Sequence, residues 1–495
     1  MHSGSDSNIQ GIQQKFQELV QYVAQKAAEK SAAHEVELDL FRKLLSLGAE
    51  LLKLFFLRRA SSSPAESVRA PDGSELKQHD RRQKQYFSVF GKITFRRGYF
   101  RRAGYDGICP VDAELHLPER CYSYLLVDWA NYCATDESFD ESNRVIERIL
   151  GISISKSAAE TMARENASHV QQFYEQKLPP GKEQEGSILV VEGDGKGIPM
   201  RSQGPQSPPQ TRLGKGEKRG KKKEAIVTGM YTIAPYFRTA QEIVKALLFP
   251  EKKTPGDAST SRRPHPVGKE LRATLDGKDT ALQRLEQRVQ LRDGEHIEDR
   301  VALTDGAEAL QTRMRSVFPG FTLVLDIIHA SEYLWKVVNA LLGEKHPQRT
   351  EWMAEQLLDV LSGKTAEVIR RLKGLAEQKS LNAAQRAALQ STIGYYERNL
   401  PYMRYHGYLK RGWPIGTGVV EGACGHLVKD RMEGSGMRWI KAGAQALLDL
   451  RSVRVNGDWE AYQGYHRHCE QHRLYGDDHF AGCTLAEAEA LNEVA

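Results

Sequence analysis

Apolar residues recur three and four positions apart from about Ile9 to Arg59, a period that predicts helix. The run is most apolar near its end, at Leu51, Leu54, Phe55 and Leu57. Such a stripe packs on its own protein more often than it pairs with a second subunit. From Ala60 to Gln85 the pattern dissolves into serine, proline and charge, the composition of a boundary or exposed loop. Alternation with a period of two then runs from Tyr86 to Arg102. Phe87, Val89, Ile93, Phe95 and Tyr99 alternate against Lys92, Arg96, Arg97, Arg101 and Arg102, which predicts a β-hairpin. Its basic face suits solvent and a phosphate backbone equally.

Helical spacing returns from Phe139 to Leu150, stops at Gly151, and resumes after Ser155 through Met162 and Arg164. Helix, glycine turn and serine-capped second helix is the layout of a helix-turn-helix. In a DNA-binding version Ser155 and Lys156 would face the groove at the start of the second helix. Short apolar runs at Ile188 to Val191, Ala225 to Tyr231, Val301 to Leu303 and Phe321 to Leu325 predict buried strands. Between them, Thr239 to His296 is charged and helix-prone, broken by a Pro- and Ser-rich stretch from Pro250 to Pro266. From Glu332 to Tyr408 the chain carries amphipathic helical runs and no strand signal.

Composition narrows the class. At 495 residues the chain is too long for one simple core, and two to four domains are expected. With 40% hydrophobic and 27% charged residues it has the make-up of a soluble globular protein. A net charge of +6 is too small for bulk attraction to nucleic acid, so any such attraction belongs to local patches. Six cysteines without a close CxxC pair argue against a zinc ribbon or a thioredoxin-like motif and fit a reducing cytosol. The polar N-terminus and the lack of any apolar run of membrane-spanning length lead us to expect a soluble cytoplasmic protein, not bound to a membrane.

Three acidic residues at glycine-rich turns carry the candidate chemistry. Asp194 follows Leu189-Val190-Val191-Glu192-Gly193, Asp305 follows Val301-Ala302-Leu303-Thr304, and Glu421 follows Gly416-Thr417-Gly418-Val419-Val420. A carboxylate at the end of a core strand is held rigidly, and a following glycine lets backbone or phosphate approach. Three such groups can hold two hard divalent cations for phosphodiester chemistry. A basic loop between two predicted strands holds Arg212, Lys215, Lys218, Arg219, Lys221, Lys222 and Lys223, placed to neutralise substrate phosphates. Lys196 follows the first acid, and Lys429 and Arg431 lie on the helix beyond Glu421, where we expect phosphate contacts. The histidines from His466 to His472 have a zinc-like spacing but no second ligand pair, which reads as a solvated terminal helix.

Strand-borne acid, second strand-borne acid, then a helix-borne acid is the order found in ribonuclease H-like nucleases and DDE transposases. The long helical interval before Glu421 points to the branch whose catalytic domain holds an all-α insertion. The chain resembles ISKra-type insertion-sequence transposases, relatives of the Mutator-like group, from roughly Tyr99 to Trp459. The matching stretches are Asp194-Gly195-Lys196-Gly197, Leu213 to Gly220, Thr304 to Ala307, Val324 to Ala330, Pro414 to Cys424, and Lys429 to Trp439. The resemblance implies a DNA transposase that binds double-stranded terminal inverted repeats and target DNA as a homodimer or larger assembly. It implies Asp194, Asp305 and Glu421 as ligands of two Mg2+ ions, with Mn2+ able to substitute, and strand cleavage followed by strand transfer. Asp305-Gly306 matches the family's catalytic Asp-Gly turn, whereas Asp326-x-x-His329 matches a separate motif to which we give a supporting role.

The expected fold is α+β, a ribonuclease H-like core interrupted by an all-α insertion, with N-terminal helical and DNA-binding regions. Its expected parts are residues 1–62 helical, 63–133 hairpin-containing, 134–185 helix-turn-helix, 186–330 first part of the core, 331–412 insertion, 413–455 last part of the core, and 456–495 helical tail. Trp335, Trp352 and Tyr396 should fill the insertion's core, and Trp439 should brace the helix bearing Glu421. Two other classes compete: a domesticated DNA-binding regulator, whose sign would be a missing acid, and a structure-selective nuclease that cuts without joining.

Overall fold

Two long antiparallel helices open the chain, α1 (Ser3–Ala28) and α2 (Ala33–Ser61), where the sequence reads as one continuous run. The break falls at Lys30, whose φ of 54° lies in the left-handed region that ends a helix. A computed structural model of the chain describes residues 3–61, 67–69, 75–104, 107–201, 222–250, 263–434 and 436–476. These divide into two compact units, Met1–Phe173 with Asp458–Ala495, and Tyr174–Gly457.

In the first unit three antiparallel strands, β1 (Ser67–Arg69), β2 (Glu75–Ser88) and β3 (Gly91–Arg101), follow the helices. β2 starts some ten residues earlier than the apolar alternation predicts. Its outer half is a charged, exposed ribbon held by the ladder to β3, a cross-strand cause that local pattern does not reveal. Phe56 of α2 stacks on Phe95 of β3 with ring centroids 4.6 Å apart, and both are buried. Each such ring contributes roughly 2–3 kcal/mol by leaving water. Next come helices Tyr124–Asp136, Phe139–Leu150 and Lys156–Asn166. Gly151 takes φ 68° between the last two, and the Ser155 hydroxyl accepts from Ala158 N at 3.2 Å, matching the turn and cap read from sequence. Helix Trp459–Tyr475 closes the unit, with Trp459 Nε1 donating to Asp128 Oδ1 at 2.6 Å.

The second unit is built on a mixed five-stranded sheet. In chain order its strands are β4 (Ile188–Pro199), β5 (Lys222–Ile233), β6 (Val267–Thr274), β7 (Asp299–Thr304) and β8 (Thr322–Leu325). In space the order is β6-β5-β4-β7-β8. β4 pairs antiparallel with β5 and parallel with β7, β5 pairs antiparallel with β6, and β7 pairs parallel with β8. Ile188 to Val191 are wholly buried, as an unbroken apolar run on a central strand requires. β6 corrects the helical expectation for Thr239 to His296. Its charged residues are satisfied sideways, Glu270 pairing with Arg288 at 3.1 Å, while Leu271 and Ala273 face inward. Asn456 stands in for a missing neighbour on this edge, accepting from Leu271 N at 2.8 Å and donating to Leu271 O at 3.0 Å.

Helices Lys278–Arg292 and Glu308–Val317 pack on one face through Leu282, Leu285, Leu310 and Met314. The other face buries Val190, Tyr231, Val301 and Leu303 against helix Ile327–Leu342 and the helices after it, Arg349–Leu361, Thr365–Ala376 and Ala383–Asn399. Tyr396 fills that second core, with Trp335 and Trp352 packed at its margin.

Candidate active site

Strand periodicity puts Val190, Glu192 and Asp194 on one face of β4, and carries Asp305, just past β7, to the same side of the sheet. β4 and β7 are parallel neighbours whose ladder ends at Glu192 and Leu303, so the two aspartates lie two residues beyond it at the same end; β4 itself runs on to Pro199 against β5, where the sequence predicts a glycine-rich turn at Asp194. Asp194 Oδ1 accepts from Gly195 N at 2.6 Å, and its Oδ2 accepts from the Cys424 thiol at 3.2 Å. Asp305 Oδ1 accepts from Ala307 N at 2.9 Å. The insertion holds Asp305 from behind: Tyr395 Oη donates to its carbonyl at 2.7 Å and stacks on Tyr333 at 3.8 Å. Gly306 follows with φ 89°, and a Cβ there would meet Tyr395 Oη at 2.6 Å, so this turn requires glycine. Burial pushes the Asp305 carboxyl above the ordinary aspartate value, and the charge of Asp194 pushes it the same way.

Glu421 lies in a short helix, Gly418–Ala423, which continues without a break into a π-helical stretch, Cys424–Lys429, and Asp430–Met432. π-helical turns cluster at functional sites because they re-aim side chains at some cost in hydrogen bonding. Glu421 is exposed, while Cys424, one turn on, is buried. The Cys424 thiol is held well above its usual value by burial first, and then by Asp194, with Glu421 adding in the same sense. The segment that carries Glu421 is thus bonded to Asp194 through the Cys424 thiol, one turn further on.

Glu192 is the residue that sequence reasoning missed. It is wholly buried, accepting from Tyr231 Oη at 2.8 Å and from Val420 N at 2.8 Å. The second bond ties the strand bearing Asp194 to the first turn of the helix bearing Glu421. Burial pushes its carboxyl up to about 7, against the pull of those two donors. The signal was present in the run Val190-Val191-Glu192-Gly193-Asp194, where alternation puts both acids on one face.

Asp326 is likewise wholly buried and fully bonded. It caps helix Ile327–Leu342 through Ile328 N at 2.9 Å, and accepts from His329 Nδ1 and Thr417 Oγ1, each at 2.7 Å. With Asp326 so engaged, His329 is held up at about 9, first by that hydrogen bond, and stays cationic beside Asp305 at neutral pH. Thr417 lies just ahead of the Glu421 helix, so this trio also fixes where that helix begins.

The expected DNA contacts fall in several places. Lys196 is half-buried near Cys424, and Lys223 and Lys429 are exposed. Lys222 pairs with Glu433 at 2.6 Å. Arg431 corrects its expectation: it is 1% exposed and lies 5.1 Å over the Trp439 ring, a brace and not a solvent-facing cation. Trp439 Nε1 in turn donates to Met432 O at 3.0 Å, at the end of the Glu421 segment. Ser155 and Lys156 belong to the first unit, where Lys156 pairs with Asp140 at 3.1 Å. Arg212, Lys215, Lys218, Arg219 and Lys221 lie outside the described residues. The His466 expectation is also corrected, for the ring is buried with its Nδ1 3.0 Å from His169 Nδ1.

As for a metal, the donor set is all oxygen, and the repulsion between Asp194 and Asp305 is what a bound dication would relieve. Among the described residues no three His, Cys, Asp or Glu side chains converge as a metal site.

No protein-family model matches the chain. It is 21% identical over 398 residues to the "UPF0236 protein in vanSb 3'region" of Streptococcus gallolyticus, covering 79% of this chain and 76% of that protein. A chain of the Drosophila P element transposase strand transfer complex aligns over 68% of this chain and 80% of its own length, at 10% identity and a TM-score of 0.23, too low to bear on fold or function. The chain is thus similar over most of its length to a UPF0236 protein.

Proposed function

We propose that this protein is a DNA transposase of an insertion sequence, with a ribonuclease H-like core and a DDE site formed by Asp194, Asp305 and Glu421. One observation supports the reading: Asp194 and Asp305 each lie two residues beyond the last pair of the parallel β4–β7 ladder, and after an all-α insertion the helix bearing Glu421 bonds back to β4 through Val420 and Glu192. Asp194, Asp305 and Glu421 would hold two Mg2+ ions, which supply Lewis acidity at a phosphodiester. Around them the protein's own groups position and neutralise. Cationic His329 offsets the crowded carboxylates, and Glu192 and Thr417 set the helix that presents Glu421. Lys196, Lys223 and Lys429 would neutralise the phosphates of double-stranded terminal-repeat and target DNA. Cleavage would free a 3′-hydroxyl, which attacks the target phosphodiester in the same site and expels the target's own 3′ oxygen.

The test is cleavage and joining of the cognate element's ends in Mg2+ or Mn2+. Asp194→Asn, Asp305→Asn and Glu421→Gln should each lose at least about a hundredfold in rate. Activity surviving in any of the three overturns the assignment. Pre-cut ends that are never joined would instead mark a nuclease.

A further inference from the structure

A cleft of about 330 Å³ opens within the first unit, walled by helices Tyr124–Asp136, Lys156–Asn166 and Trp459–Tyr475. That volume is at the lower end for small-ligand sites. Its lining includes polar atoms that have nothing to bond. The Asn166 side chain is 1% exposed, and neither its Nδ2 nor its Oδ1 has a hydrogen-bond partner among the described residues. The Tyr124 hydroxyl is buried and unpartnered in the same way. The Asn166 carbonyl, by contrast, accepts from the Tyr462 hydroxyl, which fixes the residue in place. A buried donor and acceptor left unbonded cost free energy that a ligand supplying both would recover. Charge limits what that ligand is. Arg120 pairs with Glu165 at 2.6 Å, and Arg473 with Glu470 at 2.7 Å and Glu119 at 2.8 Å, so both lining guanidiniums are already neutralised. Burial pushes the imidazoles of His169 and His466 down, so both are neutral at pH 7. The cleft therefore suits an uncharged group.

We propose that this cleft takes a nucleobase, with the Asn166 amide bonding to its polar edge. A primary amide sets a donor and an acceptor side by side in one plane. Adenine carries the complement, an amino donor beside the N7 acceptor, on an edge clear of the sugar. Guanine shows two acceptors on that edge and meets only half of the amide. The Tyr122 ring and the apolar side chains of Val127 and Met162 suit the faces of a flat ring. Sugar and any phosphate would stay outside, because the lining acids Glu119, Glu165 and Glu470 outnumber the arginines. The base can come from a free nucleoside or from an unstacked position in a DNA strand, and the recognition chemistry is the same for both. All the lining residues belong to the first unit, so the inference is independent of the DDE assignment.

Isothermal titration calorimetry of the full-length protein with deoxyadenosine and deoxyguanosine, up to millimolar concentration, tests it. Deoxyadenosine should bind, and deoxyguanosine at least about tenfold more weakly. Asn166→Leu removes both unbonded groups at similar volume. It should keep the circular dichroism spectrum and thermal midpoint of wild type, yet weaken deoxyadenosine at least about tenfold. Tyr124→Phe removes only a hydroxyl and should weaken binding about threefold or more, which decides the matter should Asn166→Leu fail to fold. An abasic strand carrying one adenine, set against the wholly abasic strand, separates the two sources. A strand-borne base should bind more tightly than the free nucleoside and lose that gain in Asn166→Leu, whereas a nucleoside site should favour deoxyadenosine alone. Three results would overturn the proposal: no binding of the base in either form, binding that both variants leave unchanged, or crystals soaked in deoxyadenosine that show only ordered water at Asn166 and Tyr124.

Discussion

Glu192 shows how one buried carboxylate can tie together two elements of the candidate site. Its two oxygens accept from Tyr231 and Val420, so Glu192→Ala would leave a phenol and a helix-start N–H unpaired in the core. That should cost about 2–4 kcal/mol in urea unfolding and lower cleavage in parallel. Glu192→Gln keeps an acceptor in place and should lose much less of both. Alternation along β4 made Glu192 legible as a neighbour of Asp194, but its bond to Val420, 228 positions away, was not. Gly306 is the reverse case. The Asp-Gly pair announced a turn, and the reason alanine fails there is the Tyr395 hydroxyl contributed by the insertion. Gly306→Ala should cost roughly 1–3 kcal/mol from positive φ and the clash together, read as a lower thermal midpoint.

At the scale of elements, Asp326, His329 and Thr417 join the start of helix Ile327–Leu342 to the start of the Glu421 helix. His329 is raised in the folded state from its ordinary 6.5 to about 9, so its stabilisation is full below 6.5 and is lost as pH rises through 9. Asp326→Asn should bring the His329 midpoint, followed by NMR, down toward 6.5, and should flatten stability across that window. A midpoint that stays near 9 would show that Asp326 is not its main partner. The Asp-x-x-His spacing was readable because three residues along a helix keep the ring over the cap. β6 was not readable, since its partner β5 and its covering helix supply what its charged sequence lacks.

At the scale of the whole molecule, the two units carry different titrating groups. In the first, burial pushes His466 down to about 4, with His169 against it. The unfolded chain binds that proton near 6.5 and the folded one only near 4. Stability of the first unit is therefore complete above 6.5 and falls as pH drops through this window, by as much as about 3 kcal/mol. Calorimetry at pH 7 and pH 5 should show a transition of the first unit moving down, and His466→Gln should reduce that movement. No shift between the two pH values would mean His466 is not protected from protonation when folded.

The sequence by itself determined the elements whose cause is local: the Gly151 turn with its Ser155 cap, the apolar first part of the central strand that holds Asp194, and the strand-free insertion before Glu421. Period, caps and glycine positions depend on neighbours within a few residues, so they can be read along the chain. Tertiary structure alone decided that Arg431 turns inward onto Trp439, that His466 is buried on His169, and that Glu192 anchors the Glu421 helix. Each of these depends on a partner brought close by folding, and burial sets both the charge state and the direction of a side chain only once that partner is in place.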